Sequence, residues 1–296
     1  MIRKYLRKIE KAQSTVVGIN RRNIEFIYPN NNREDYRIAD DKALCKTLLQ
    51  NEKIPVPETY TLIEHLWEVD EKLLVLDTLE NFVVKPSMGS GGNGILILQK
   101  HAGGWITPDG SPYNRERLIM HMAGILYGAY SQDHADKVIV EERLVPHPFF
   151  SDIYEKGIPD IRVIVKHDNP VMAMLRIPTR ISKGKANLHQ GATGIGIEME
   201  SGRLGYGTYK NRRITAHPDS GVEFRGLVIP QWKEMVTISK NTAGLVPLKF
   251  LGIDIILDAQ TGPLVIEINA RPGLQIQNSN SMGLLEALEK RSGNSV

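Results

Sequence analysis

The sequence predicts an α+β protein built from antiparallel hairpins interleaved with helices, and three observations carry that expectation. Residues 251–273 read LGIDIILDAQTGPLVIEINARPG, two Ile/Leu/Val-rich runs flanking a turn-like DAQTG, which is a hairpin pattern. Residues 159–180, PDIRVIVKHDNPVMAMLRIPTR, repeat the pattern about a turn at His167–Pro170. Between residues 81 and 98 the strand NFVVK passes through the glycine-rich PSMGSGGNG into a second apolar run, ILIL.

With 296 residues and 41% hydrophobic content, the chain can bury a core as one large domain or two lobes. A charged fraction of 24% and a net charge of +3 are ordinary for a globular protein and ask for no nucleic-acid partner. The single cysteine, Cys45, excludes an internal disulfide and fits a reducing compartment. Cys45 shares helical spacing with Leu44, Leu48 and Leu49, which reads as a buried structural thiol. No apolar run reaches the ~18 residues of a membrane span, and the basic start lacks a signal-peptide core. A cytoplasmic location is expected.

Taken in order, residues 1–12 put Ile2, Tyr5, Leu6 and Ile9 on one helical face with basic residues around the rest. The expectation is a helix docked on the body, with an acidic membrane surface or a partner as the alternative. Residues 28–36, YPNNNREDY, read as a loop. A helix begins near Asp40 as N-cap, runs through DDKALCKTLLQN and is stopped by Pro55 and Pro57. A second helix covers HLWEVDEKLLVL. The glycine loop that follows NFVVK returns as a hairpin, so it is neither a Walker A loop nor a dinucleotide fingerprint, both of which open a helix. Its glycines, with Ser87 and Ser90, can fold amides over phosphates, and a mobile hairpin without function is an equal reading of the loop alone. Lys85, at the strand end before it, places a cation there and favours phosphate.

From Asn114 a helix aligns Leu118, Met122, Ile125 and Ala129 on one stripe. The strand VIVEE then leaves through Glu142, Arg143 and Leu144 into a proline-broken bend, either an adenine-edge hinge or an ordinary strand end. The second hairpin carries Asp160, Arg162, Arg176 and Arg180, and arginines on strands can fork onto phosphate or carboxylate, or pair with surface acids. His189, in a polar Gly-rich loop, reads as a surface histidine. A helix from 232 to 243 packs Trp232, Met235 and Val236 inward, and MGLLEALEK closes the chain as an amphipathic helix.

In the organising hairpin, alternation points Glu267 and Asn269 the same way, and Asp254 on the facing strand converges on them in the obvious register. Two carboxylates and an amide carbonyl make a hard-oxygen set suited to magnesium that shares ligands with phosphates. The plain alternative, a polar solvent face, leaves the sharp NARPG break without a reason.

Together these segments resemble the ATP-grasp superfamily and, within it, the ribosomal-protein-modifying (RimK-type) glutamate ligases, most closely their alpha-L-glutamate-ligase-like group. The resemblance rests on GINRRN, DDKALCKTLL, VPETY, FVVKPSMGSGGNGILIL, IVEERL, PDIRVIV, MAMLRIPTR, KANLHQGATGIGIE and GIDIIL…IEINARPG, in family order from about Gly18 onward. It implies an ATP-grasp fold with two α+β lobes sandwiching the nucleotide. Residues 1–37 would form a helix-and-loop extension in place of a full preceding domain. Residues 38–142 would form the N-terminal part with the glycine flap, and residues 143–296 the C-terminal lobe with the metal site.

Residue by residue, the resemblance makes Asp254, Glu267 and Asn269 the ligands of two magnesium ions, for which manganese could substitute, with Glu267 bridging. Lys85 would contact phosphate with help from Lys42. The segment 87–94, with Ser87, Ser90, Gly91 and Gly92, would close over the triphosphate of ATP. Glu141, Glu142 and Leu144 would form the adenine hinge. Arg162, Arg176 and Asn187 would steady the γ-phosphate and an acyl phosphate, and Arg271 would lie near the acid or amine substrate. The implied activity is an ATP-dependent carboxylate–amine ligase joining glutamate or a related amino acid to an amine or peptide acceptor. A phosphotransferase on the same scaffold, or an ATP-binding regulatory protein without turnover, are the alternatives. The sequence specifies no oligomeric state.

Overall fold

Short runs rich in Ile, Val and Leu, buried on both faces in the central strands, give two antiparallel sheets in the computed structural model, which describes residues 14–101 and 103–291. The basic helix expected over residues 1–12 lies outside the described residues. The described chain forms two units, residues 40–50 with 56–144, and residues 14–39 with 51–55 and 145–291. The architecture is α+β in both, as the ATP-grasp fold requires.

The smaller unit contains helix α1 (Lys42–Asn51), strand β1 (Thr59–Ile63), helix α2 (Val69–Leu76), and strands β2 (Asn81–Pro86), β3 (Leu96–His101), β4 (Gly104–Ile106) and β5 (Pro112–Tyr113). Helix α3 (Arg115–Leu126) and strand β6 (Val138–Glu141) complete it. The sheet order is β1-β6-β2-β3-β4-β5. One face buries Phe82, Val84, Leu98, Val138 and Val140 against Leu73 and Leu76 of α2 and Leu118, Met122 and Ile125 of α3. The glycine loop does return as a hairpin, with Val84 opposite Leu96.

Two helix limits differ from the sequence expectation. The cap of α1 is Asp41 rather than Asp40: its Oδ1 accepts from the amides of Ala43 and Leu44 at 3.0 and 3.1 Å. Helix α3 is capped by Asn114, which accepts from the Arg117 amide at 2.9 Å, but it ends at Leu126, so Ala129 falls outside the stripe.

The larger unit holds β7 (Asp160–Lys166), β8 (Asn169–Ile177), β9 (Thr193–Ile197), β10 (Leu204–Tyr209), β11 (Arg212–Ile214), β12 (Phe250–Asp258) and β13 (Gly262–Asn269). Among its helices are α4 (Trp232–Leu245), α5 (Gln275–Asn280) and α6 (Leu284–Arg291). The strand order is β11-β10-β9-β8-β7-β12-β13. Helix α4 packs along β7, β8, β12 and β13. Ile276 of α5 and Leu284 and Ala287 of α6 cluster with Val17, Phe26, Ile27, Ile164, Met174 and Phe250.

The described part of the extension expected over residues 1–37 is tied into this unit by buried amides. Asn31 donates to the carbonyls of Phe250 and Ala270 and accepts from the Lys249 and Phe250 amides. Gln277 accepts from the amides of Val17 and Leu284, both at 2.9 Å. Among the described residues no helix is long and apolar enough to cross a membrane.

Candidate functional site

Four neighbouring strands of the larger unit carry an ordered row of charges on one face. Residues directly opposite in an antiparallel ladder point to the same side. Arg176 on β8 faces Asp160 on β7, Arg162 on β7 faces Asp254 on β12, and Asp254 faces Glu267 on β13. Asn269, two residues after Glu267, shares that face. The hairpin register expected from sequence is therefore the register found.

Asp254 is the hub. Arg162 forks onto it, Nε to Oδ1 at 2.7 Å and Nη2 to Oδ2 at 2.5 Å, and Arg176 Nη2 reaches Oδ2 at 2.8 Å. Arg176 also forks onto Asp160, and Arg162 Nη2 lies 3.8 Å from Glu267 Oε1. Burial pushes the Asp254 carboxyl up, but the two guanidinium groups more than offset it and hold it well below the usual carboxylate range. Asp160 goes the other way: burial, with Asp254 adding to it, outweighs Arg176 and raises it to about 6. Two guanidinium groups and three carboxylates thus stand side by side in this row.

Whether a divalent cation fits is decided by the donor chemistry of the row. Among the described residues no group of three His, Cys, Asp or Glu side chains is arranged to hold a metal, so an all-protein cage is not present. The set Asp254, Glu267 and Asn269 is instead two carboxylates and an amide, the open hard-oxygen arrangement of a magnesium that takes further ligands from water and phosphate. Glu267 is the most open of the row, its side chain 30% exposed against 1% for Asp254. Asn269 Nδ2 points at Glu267 Oε1 across 3.4 Å. Asp254 Oδ1 accepts the Arg162 Nε bond, and a carboxylate oxygen has capacity for a cation besides one such donor. The donor chemistry fits magnesium, with Glu267 and Asn269 at its centre.

Gly252, which the sequence reading passed over, belongs to the same face. It opposes Asn269, and a Cβ there would lie 3.0 Å from Pro272 Cβ, 3.6 Å from Asn269 Cβ and 3.7 Å from Arg162 Cδ. The missing side chain lets Pro272 of the NARPG turn close over the row.

In the smaller unit, the second cluster is a carboxylate held by two lysines. Lys85 on β2 and Lys46 on α1 both ion-pair with Glu141 at the end of β6, Lys46 Nζ at 2.5 Å from Oε2. All three are buried. Burial raises the Glu141 carboxyl, but Lys85 and then Lys46 pull it down further, and it ends below its ordinary value. Lys46 is depressed, by burial first and by the like charge of Lys85. Two lysines on one carboxylate leave a buried positive charge suited to an anion.

Several expected contacts are redistributed. Lys42, expected beside Lys85, donates to the carbonyls of Ser87 and Gly89 at 3.3 and 2.5 Å, so it holds the start of the glycine loop, and Lys46 takes the place next to Lys85. Ser87 does not turn its donors to a ligand: its hydroxyl donates to Asp41 at 2.5 Å and its amide to the Lys137 carbonyl at 3.0 Å. Asp136, also unanticipated, accepts from the Met88 amide at 2.9 Å and braces the same stem. Gly91, Gly92 and Gly94 lie at φ of 67°, 73° and 76°, the left-handed region glycine enters freely, and the Ser90 carbonyl accepts from the Asn93 amide across that turn. In the hinge, the Glu142 amide donates to the Glu58 carbonyl at 3.0 Å and its carboxylate accepts from the Glu58 amide at 2.7 Å. That N–H is thus paired with β1's lead-in residue in this structure, and Leu144 is buried beyond it.

Asn187 caps a short turn, its Oδ1 accepting from the His189 amide at 2.9 Å. Arg271 lies with its guanidinium 5.1 Å from the ring of Tyr36. The groups that hold Asp254 are Arg162 and Arg176, not these two.

A family profile described as sugar-transfer associated ATP-grasp matches residues 21–292. No curated protein sequence matches the chain. Among solved structures, the chain is similar to the ATP-grasp ligase PsnB complexed with minimal precursor, at 16% identity and a TM-score of 0.47, over 88% of this chain and 61% of that one. It is similar also to a D-alanine–D-alanine ligase from Bacillus anthracis complexed with ATP, at 14% identity and 0.48, over 86% of this chain and 65% of that one. A third is the D-cycloserine synthetase DcsG, at 16% and 0.46, over 86% and 71%. The chain thus spans under two thirds of the length of the first two.

Proposed function

The chain belongs to the sugar-transfer-associated ATP-grasp family, and from that premise we propose that it is an ATP-dependent carboxylate–amine ligase. The observation that carries the reading is the row Arg176–Asp160–Arg162–Asp254–Glu267–Asn269 on one sheet face, arginines and an open carboxylate–amide pair side by side. Such a row can hold an anionic phosphoryl group and its counter-cation together.

In the proposed reaction a carboxylate oxygen of the acid attacks the γ-phosphorus of ATP and ADP leaves, giving an acyl phosphate. The amine then attacks the acyl carbon, inorganic phosphate leaves, and the amine gives up a proton as the amide forms. Glu267 and Asn269, with Asp254 behind them, would hold magnesium, which when bound neutralises charge on the phosphates. Arg162 and Arg176, locked by Asp254 and Asp160, would present fixed guanidinium donors to the transferring phosphoryl group, already oriented before the reaction. Lys85 and Lys46, sharing Glu141, would supply the buried positive charge that a phosphate of the nucleotide completes. The glycine loop at 87–94, with its stem braced by Lys42, Asp41 and Asp136, would exclude water from an acyl phosphate that hydrolyses when wet.

For the acid we propose glutamate or a related amino acid, the acceptor being an amine or peptide; the family's description admits an acid or amine carried on a sugar as well. The test is ADP release from Mg–ATP in the presence of paired panels of acids and amines. The reading expects ADP only when an acid is present. Nucleotide that binds tightly and stays intact with every pair would end it.

A further inference from the structure

Far from the Asp254 row, the larger unit carries a cation cluster that the proposed chemistry does not use. At the β10–β11 edge, the Arg213 guanidinium carbon lies 3.3 Å from the centre of the Tyr206 ring and that of Arg225 lies 4.4 Å from it. Both fall well within the ~6 Å reach of a cation–π contact, so one phenol gathers two guanidinium groups. Like charges repel at this range, and the usual remedy is a carboxylate between them. Among the described residues neither Arg213 nor Arg225 makes an ion pair or a hydrogen bond through its side chain, and each keeps its full fork of N–H donors. The cluster borders a surface cavity of about 420 Å³ lined by Tyr206, Arg213, Ile214, Thr215 and Ala216. The space is an open surface depression, lined by Tyr206 and Thr215 beside Arg213, with Arg225 reaching it only through the Tyr206 ring.

The sheet register fixes where this cluster stands. Arg213 opposes Thr208, Thr208 opposes Gly194, Gly194 opposes Arg176, and Arg176 opposes Asp160, a single transverse row on one face. Three strand spacings, about 14 Å, separate the backbones of Arg213 and Arg176. Helix α5 occupies the interval: a Cβ on Gly194 would lie 2.6 Å from Ser279 Oγ, and one on Gly196 would lie 2.6 Å from the Ser279 carbonyl. The two cation clusters are thus separate sites on the same face.

We propose that Tyr206, Arg213 and Arg225 form a binding site for an oxyanion, a phosphate or carboxylate group of a ligand seated in the adjoining cavity. Planar guanidinium forks held on a rigid ring match the oxygen geometry of either group, which a lysine pair would not. That the ligand is the second substrate of the ligase, anchored at a distance from its reacting end, rests on the function proposed above; the binding itself does not.

The experiment follows the arginine Nε–H resonances by NMR, with the nucleotide site saturated by Mg–AMP-PNP and the two signals assigned from R213K and R225K. Inorganic phosphate and malonate are titrated separately, with chloride at matched ionic strength as the reference. The expected result is that the Arg213 and Arg225 signals move together and saturate, with affinity at least about tenfold lower in either lysine variant. Saturation by both anions assigns a general oxyanion site, and saturation by phosphate alone assigns a phosphate site. Signals that move no more than in chloride, or an affinity unchanged in R213K and R225K, would overturn the proposal. Absence of ADP formation in the ligase assay would remove the substrate role and leave this binding result standing.

Discussion

Arg162 and Asp254 stand directly opposite each other across the β7–β12 ladder, joined through two parallel bonds of 2.7 and 2.5 Å with the carboxylate only 1% exposed. A pair this well buried must be intact to be tolerated, because each charge alone would face a heavy desolvation penalty. Asp254 is therefore a structural counterion for two arginines as well as a candidate ligand. Asp254→Asn should lower folding stability by about 3 kcal/mol, since it leaves Arg162 and Arg176 underpaired in a buried place. Urea denaturation reads this directly. A loss under about 1 kcal/mol would mean that the arginines find other partners.

Glu267 separates ligand from counterion. Its side chain is 30% exposed, against 1% for Asp254, so less of the fold depends on it. Glu267→Gln should keep stability within ~0.5 kcal/mol, as for surface changes, while ADP formation falls on the order of 10²-fold and the magnesium requirement rises. Equal damage to stability and turnover would assign Glu267 to the scaffold.

The lysine pair gives a pH prediction. Burial raises the Glu141 carboxyl, but Lys85 and Lys46 lower it more, so its folded value lies below the ordinary 4.5. The unfolded chain then binds the proton first on acidification. The stability that Glu141 contributes is fully present above about pH 4.5 and is lost as pH falls through the lower folded value. Glu141→Gln should flatten the acid limb of stability against pH in that window. An unchanged slope would show that the pair contributes nothing to the titration.

Gly252 tests the packing of the turn that follows β13. A valine there brings a Cβ to 3.0 Å from Pro272 Cβ, and its methyls then meet Asn269 and Arg162. Gly252→Val should raise the magnesium concentration needed for half-maximal activity at least about fivefold, because Asn269 must shift. Wild-type magnesium dependence in a folded Gly252→Val protein would detach this glycine from the site.

Local pattern made the hairpins legible. Alternation in LGIDIIL and PLVIEIN fixes which residues share a face, and that alone placed Asp254, Glu267 and Asn269 together. The returning glycine loop was equally visible, since no helical run follows it. Contacts between distant segments were not. Lys46 lies beside Cys45 and four residues from Gln50 in an otherwise core-like helix, and nothing in its neighbours says that it meets Glu141, 95 positions away. Asp160 opens β7, and only the register sets it against Arg176, sixteen positions on. Ser87 was read by its glycine neighbours, whereas its bonds run back to Asp41 at the cap of α1. The stacking of Arg213 and Arg225 on Tyr206 depends on a turn that brings residue 225 back to β10, which no spacing reveals.

The central claim is chemical activation of a carboxylate by ATP, and hydroxylamine trapping tests it most directly. Protein incubated with Mg–ATP, a panel of amino acids and hydroxylamine should yield ADP and a hydroxamate in equal amounts with at least one acid, and both on the order of 10²-fold less in the Glu267→Gln variant. ADP accompanied by a phosphorylated hydroxyl compound and no hydroxamate would contradict the account, because the γ-phosphate would then have gone to an alcohol and not to a carboxylate.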